Sequence, residues 1–259
     1  LVKSLSEAGV FVNEVHCGEV HTLFFDRGKG EVWACGVAAY GRLGIGANWS
    51  DQDALTPQLI QEAFEGERVV QISAGFSHSL ALTESGRVFS WGRNDLGQLG
   101  LGDSFTDMYS MEDYPRLVES SKMTDKVVQI SAGKGVSAAL TESGKIFHWG
   151  HNIMLEPTEL SVPDEDELNR PVVVKVAGDS AKNGAITTWV TADGELHTMG
   201  SYKSHLRGKK EGGFFSSDSS TLVDVGKSDE NRKVFEIFTG FGQHMMAKVS
   251  PPLISTADQ

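Results

Sequence analysis

The sequence predicts an all-β fold, a β-propeller of four-stranded blades, and three observations predict it. First, the run from Ile72 to Gly92 returns 58 positions later as the run from Ile130 to Gly150. A repeat of this length makes each unit one supersecondary element that buries its faces against copies of itself. Second, the apolar period inside a unit is two: Val70 and Ile72 alternate with Val69 and Gln71, and Leu80 and Leu82 with Ser79 and Ala81. That period excludes a helical solenoid, and the repeat is too long for a parallel β-helix. Third, 29 of the 259 residues are glycine, about 11% against a usual ~7%, and they recur at fixed places in the units.

The units are justified one by one. A Gly closing the first strand falls at Gly18, Gly75, Gly133, Gly178 and Gly240, and a Gly after the third falls at Gly36, Gly92, Gly150 and Gly200. The two markers keep nearly constant separation inside a unit, with a five-residue insertion near Lys182-Asn183 in the fourth. The spacing between units varies, as expected for sheets joined by surface loops. Tight hairpins between second and third strands are predicted at Ser85-Gly86, Ser143-Gly144 and Asp193-Gly194, where Gly accepts a positive φ without steric cost. Each unit therefore supplies three antiparallel strands, with a fourth drawn from the linker. The expected blade units are 11–46, 68–102, 126–152, 172–200 and 234–259 within a single domain spanning 1–259.

The second unit carries Ala74-Gly75, His78-Ser79, Ala81-Leu82-Thr83, Gly86, Trp91-Gly92 and Asn94-Asp95-Leu96-Gly97-Gln98-Leu99-Gly100. This string resembles the regulator-of-chromosome-condensation repeat family throughout. The first unit matches in part, with His21-Thr22, Cys35-Gly36 for Trp-Gly, and Gly41-Arg42-Leu43-Gly44. The third keeps Trp149-Gly150-His151-Asn152 but has Val136 for His and no Gly-Gln-Leu-Gly, the fourth is degenerate, and the fifth stops after Gly240 and His244. The resemblance implies a seven-bladed propeller. Four recognisable units plus the start of a fifth are present, so the expectation is a partial or truncated version of that ring. The start at Leu1 rather than Met agrees with it. A closed five-bladed ring also falls within the four to eight blades that propellers use.

Charge and composition narrow the function. A net charge of −12 opposes a nucleic-acid backbone as main partner, because phosphate binding needs clustered Lys and Arg. Cys17 and Cys35 are too few for a disulfide framework and are read as reduced core thiols of an intracellular protein. Cytoplasmic or nuclear placement is favoured, with the mitochondrion open. No apolar run approaches the ~18 residues of a membrane span, and the first residues do not read as a secretory signal.

No constellation for catalysis emerges. Gly97-x-x-Gly100-x-Gly102 and its echo Gly41-x-x-Gly44-x-Gly46 lack the glycine order and the strand-then-helix context of a nucleotide loop, and read as repeat turn chemistry. His148 and His151 lack a third metal ligand. His21 and His78 recur at one unit position and read as hydrogen-bonding residues of the blades, since a catalytic base would not be expected in duplicate. No nucleophile with a placed base appears. No cofactor, metal or catalytic residue is expected.

The linkers carry the functional expectation. Asp103 to Asp125 holds six acids with Phe105, Met108, Tyr109, Met111 and Tyr114 interleaved, a composition that suits a protein-binding edge. Asp164, Glu165, Asp166 and Glu167 form a second acidic cluster, and Arg207, Lys209 and Lys210 a small basic stretch able to meet an acidic partner. The expected function is a non-enzymatic interaction scaffold that binds another protein through its loops within a larger multisubunit assembly. The alternative, exchange factor or regulator for a small GTPase, is what the family resemblance implies, although no residue here matches an exchange loop. DNA binding and membrane insertion are not expected.

Overall fold

Each repeat begins to fold at its hairpin. Gly86, Gly144 and Gly194 have φ of 91°, 83° and 86°, and each returns its N–H to the threonine carbonyl three positions earlier. The computed structural model describes residues 3–49, 52–61, 63–102, 110–151, 154–160, 172–181, 184–200, 221–222, 234–240 and 244–249. The first sheet contains β1 (Glu14–Cys17), β2 (His21–Asp26), β3 (Glu31–Gly36) and β4 (Ala54–Leu59). The second contains β5 (Val69–Ala74), β6 (His78–Thr83), β7 (Val88–Arg93) and β8 (Met111–Leu117). The third runs β9 (Val127–Ala132), β10 (Val136–Thr141), β11 (Ile146–Gly150) and β12 (Met154–Glu159). The fourth runs β13 (Val173–Ala181), β14 (Gly184–Thr191), β15 (Leu196–Gly200) and β16 (Thr221–Leu222). A hairpin of β17 (Val234–Gly240) and β18 (His244–Val249) follows. All neighbours are antiparallel and sequential.

The core lies between sheets, because the central strands are buried on both faces. Leu23, Phe25, Val32 and Ala34 of the first sheet meet Ile72, Ala81, Phe89 and Trp91 of the second. Leu80, Leu82 and Val88 turn the other way, onto Ile130, Ala139, Phe147 and Trp149. Ala138, Leu140 and Ile146 pack on Val176 and Trp189. Burying a large apolar side chain stabilises by roughly 1.5–3 kcal/mol, so a unit gains most of its stability from both neighbours. β17 packs on β13 and β14 but makes no comparable interface with β1–β4 among the described residues. The sheets form an open series, a partial β-propeller.

Three expectations change at the level of detail. The alternation of Val70 with Ile72 is broken, because Val70 is skipped between the pairs Val69↔Thr83 and Gln71↔Leu82. This bulge turns Val69 and Ile72 both inward, and it recurs at Val128, Val174 and Phe235. The insertion in the fourth unit lengthens the β13–β14 hairpin, so Gly178 pairs with Thr187 inside it and does not end a strand. The cysteines are not core thiols: Cys17 is exposed and Cys35 half-buried. Both lie on the face of the first sheet that is turned away from the second. There the helix α1 (Lys3–Glu7) places Leu5 with Val10 over Phe24, Trp33 and Cys35. A helix this short depends on such packing for its stability.

Candidate functional site: the loop-bearing face

The motif residues are first of all inter-sheet fasteners. Ser79 Oγ donates to the Arg42 carbonyl at 3.2 Å and stands 3.0 Å from His21 Nε2. One sheet later, Ser137 Oγ donates to the Gln98 carbonyl at 2.8 Å and stands 2.9 Å from His78 Nε2. A hydroxyl has one proton, so the serine that donates to the carbonyl accepts from the imidazole, which fixes the Nε2–H tautomer. The Trp91 and Trp149 indoles donate to the same two carbonyls, at 3.1 and 2.9 Å. The Gly-x-Leu-Gly turn brings its backbone against that indole: a Cβ on Gly100 would stand 2.8 Å from Trp149 Nε1, and one on Gly44 2.7 Å from Trp91 Nε1.

Burial pushes the His21 imidazole down to about 4, with the Arg42 charge adding to the effect, and His78 down to about 3. The geometry accounts for the direction. Nδ1 of each ring is buried without a partner, so a second proton there would have no acceptor. These histidines are neutral structural donors at neutral pH.

The third junction is rebuilt. Val136 stands where His is missing, and His148 from β11 reaches Thr187 Oγ1 at 3.1 Å instead; burial lowers its imidazole to about 4. Gln129 clamps both polar groups of the Val176 backbone, at 3.0 and 3.3 Å, as Gln71 clamps those of Ile130. His148 is thus a structural residue, and among the described residues no group of three or more His, Cys, Asp or Glu is placed to hold a metal ion. Sequence reasoning missed the Gln clamps, although Gln71 and Gln129 hold the same place in Val-Val-Gln-Ile-Ser-Ala.

The remaining features gather on one face. The connections β3–β4, β7–β8, β11–β12 and β15–β16 leave from the sheet ends that carry the inter-sheet fasteners. Met111 and Tyr114, expected in a loop, are instead exposed on β8, the outer edge of the second sheet. Tyr114 closes over Gly46 and lines a groove of about 1080 Å³ between β4 and β8, together with Ile45, Leu59, Phe89, Leu101 and Arg116. Pro57, Pro115 and Pro157 occupy one place in β4, β8 and β12. Proline has no N–H, so it suits outer strands; this repeated residue signals the fourth strand and was missed. Phe105, Met108, Tyr109, Asp164, Glu165, Asp166, Glu167, Arg207, Lys209 and Lys210 lie outside the described residues.

Within the β3–β4 connection, Tyr40 takes a φ of 64°, uncommon for a residue with a side chain. The guanidinium carbons of Arg42 and Arg93 lie 5.5 and 4.7 Å from its ring centre. Arg93 pairs with Asp95 at 2.5 Å. No helix of the described residues is long and apolar enough to cross a membrane.

Comparison with known proteins agrees with this architecture. The family model described as "Regulator of chromosome condensation (RCC1) repeat" matches residues 29–82 and 85–140, and a second model of that description matches 69–98. A probable E3 ubiquitin-protein ligase of Mus musculus, HERC4, is 32% identical over 271 residues, covering 96% of this chain and 24% of its own length. The regulator of chromosome condensation of Homo sapiens is 37% identical over 179 residues, 66% of this chain and 39% of that protein. The solved structure of Prp20p from Saccharomyces cerevisiae, described with its binding to Gsp1p and histones, superimposes with a TM-score of 0.69. It shares 19% identity over 95% of this chain and 57% of its own, and shows the fold. The chain thus spans about a quarter of the length of the first of these relatives. On its repeats, its sheet series and these likenesses, the chain belongs to the regulator-of-chromosome-condensation repeat family.

Proposed function

We propose that this chain is a non-enzymatic platform that binds another protein through the connections on one face of its sheets, inside a larger intracellular assembly. One observation carries the reading. The His, Ser and Trp side chains of the motifs are bonded between sheets, while β3, β7 and β15 end, and β4, β8 and β16 begin, at the same end of their sheets, where Tyr40 and Met111 are exposed. A partner would contact Phe105, Met108 and Tyr109 together with Met111 and Tyr114. The basic residues Arg207, Lys209 and Lys210 belong to a connection leaving the same face. The acidic cluster Asp164–Glu167 belongs to the β12–β13 connection, which leaves from the other, and would act separately. The enzyme name of the mouse relative belongs to a chain of which this one matches 24%. Affinity purification from the native source is expected to yield one stoichiometric partner, reduced at least tenfold by Tyr114→Ala. Substrate turnover by the isolated chain, or the absence of any stoichiometric partner, would overturn the reading.

Family membership favours a second reading, regulation of a small GTPase. It requires acceleration of nucleotide release across a GTPase panel, and a panel with no acceleration disposes of it.

A further inference from the structure

The groove between β4 and β8 changes character from end to end. Its loop-bearing end is apolar: Ile45 and Leu101, from the connections that precede the two strands, meet Tyr114, which is 55% exposed. Its other end is acidic, because Glu65 and Glu119 follow the two strands. Arg87, beside that end, shows how a cation is held there. Its guanidinium carbon lies 5.4 Å from the centre of the Phe89 ring, which lines the groove, and it pairs with Glu65 at 2.7 Å and Glu67 at 2.8 Å. Arg116, the one cation among the described lining residues, is paired with Glu112 at 2.7 Å. Glu119 is exposed and has no ion-pair partner among the described residues. The walls do not suit an added strand. Ile60 and Val118 donate inward to the Val32 and Val88 carbonyls, so in an antiparallel ladder Pro57 and Pro115, three positions earlier, turn their backbone outward. Neither has an N–H, and both edges lack a donor at the same place.

We infer that this groove takes a short basic segment of the partner protein by its side chains, with an apolar residue against Tyr114 and a lysine or arginine against Glu119. Tyr114 and Glu119 are five positions apart, so the two anchors of an extended segment are separated by about as many residues. Leu59 and Leu117 line the groove on its two strands and suit the aliphatic stem of a long cationic side chain, whose head stays at the carboxylate. The chain's net charge of −12 draws a basic segment to the whole molecule. The apolar end and the one open carboxylate together decide where it settles. The inference rests on the interaction-platform reading and adds the chemistry of its partner.

The test measures fluorescence anisotropy of labelled peptides with the full chain. The probes are Leu-Phe-Ser-Gly-Ser-Lys-Arg, a counterpart ending in Glu-Glu and a counterpart beginning with Ser-Ser. Saturable binding of the first is expected, with each counterpart about tenfold weaker. Glu119→Lys is expected to weaken the first peptide about tenfold and to strengthen the one ending in Glu-Glu. Tyr114→Ala should weaken both peptides that carry Phe and leave the Ser-Ser peptide unchanged. Glu142→Lys, on the β10–β11 hairpin outside the groove, makes the same change in net charge and should keep the first affinity within about twofold. Circular dichroism confirms the fold of each variant. No saturable binding of the first peptide, equal binding of all three, or equal loss in Glu119→Lys and Glu142→Lys would overturn the site. If Tyr114→Ala releases the native partner while Glu119→Lys retains it in full, the platform reading stands and this inference fails; if no stoichiometric partner is found with any form, the platform reading fails.

Discussion

At the scale of the residue, Trp149 combines two roles that separate variants can divide. Its ring is fully buried between the second and third sheets, and its N–H reaches the Gln98 carbonyl at 2.9 Å. Trp149→Phe keeps most of the apolar contact and removes the donor. A cost of about 0.5–1.5 kcal/mol is expected in urea unfolding, the net worth of one hydrogen bond, because the Gln98 carbonyl keeps the Ser137 hydroxyl as donor. Gly100→Ala leaves the indole in place and drives a Cβ to 2.8 Å from Nε1, at a φ of 73°. Strain of that kind costs about 1–3 kcal/mol by itself, and displacement of the indole adds the lost hydrogen bond. Gly100→Ala is therefore expected to be the more damaging of the two. The reverse order would show that the turn is not shaped by the tryptophan. Arg42 and Gln98 share a role that neither side chain reveals, since it is the backbone carbonyl that receives the next sheet.

At the scale of the element, the first sheet shows how the face turned away from the second sheet is covered. Phe24 and Trp33 occupy the places of Ala81 and Phe89, which in the second sheet face the first. Here they are covered by Leu5 and Val10. Leu5→Ala should cost about 2 kcal/mol or more by the usual range for buried leucine, and hydrogen exchange should quicken first in β2 and β3. Exchange that quickens evenly across the sheets would refute a local cap. The departures among the repeats are also coupled in a way visible in the sequence. Gly-x-Leu-Gly occurs in units one and two, and the paired Trp in units two and three, because the turn of one sheet receives the indole of the next. Met199 sits where a fourth Trp would stand, after the unit that lacks the turn. The hairpins and central strands were legible because local Gly and β-branched patterns specify them. Fourth strands such as β8 were less so, since an edge strand half in solvent has no buried period; Tyr114 and Met111 therefore read as loop. The bulge at Val70 was hidden for another reason, because only the pairing partner shows which residue is skipped. Of the candidate site, Tyr114 was visible as an exposed aromatic, whereas the juxtaposition of Tyr40, Arg42 and Arg93 requires two sheets to meet.

At the scale of the whole molecule, the inter-sheet fasteners make stability depend on pH. His21, His78 and His148 are held neutral by burial, at about 4, 3 and 4 against an ordinary 6.5. The folded chain therefore binds fewer protons than the unfolded chain as pH falls below that ordinary value. Stability from these groups is complete above pH 6.5 and is lost as pH falls towards 4 and 3. Each contributes a slope of up to about 1.4 kcal/mol per pH unit. Asp26 acts in the same direction at more acid pH. Burial raises its carboxyl, but hydrogen bonds from the Phe11, Lys29 and Gly28 backbone outweigh this and hold it below its ordinary value. Its contribution is lost as pH falls through that depressed value. Urea unfolding between pH 7.5 and 4.5 should give a free energy that declines steeply below about 6.5. His78→Gln should lower stability at pH 7.5 by removing the Nε2–H donor to Ser137, while reducing the slope between pH 6 and 5 by about a third, since three histidines share it. Parallel curves for the two proteins would mean that His78 gains its proton in the folded state as readily as in the unfolded one. A fastener linking the second sheet to the third could not then rest on its neutral form.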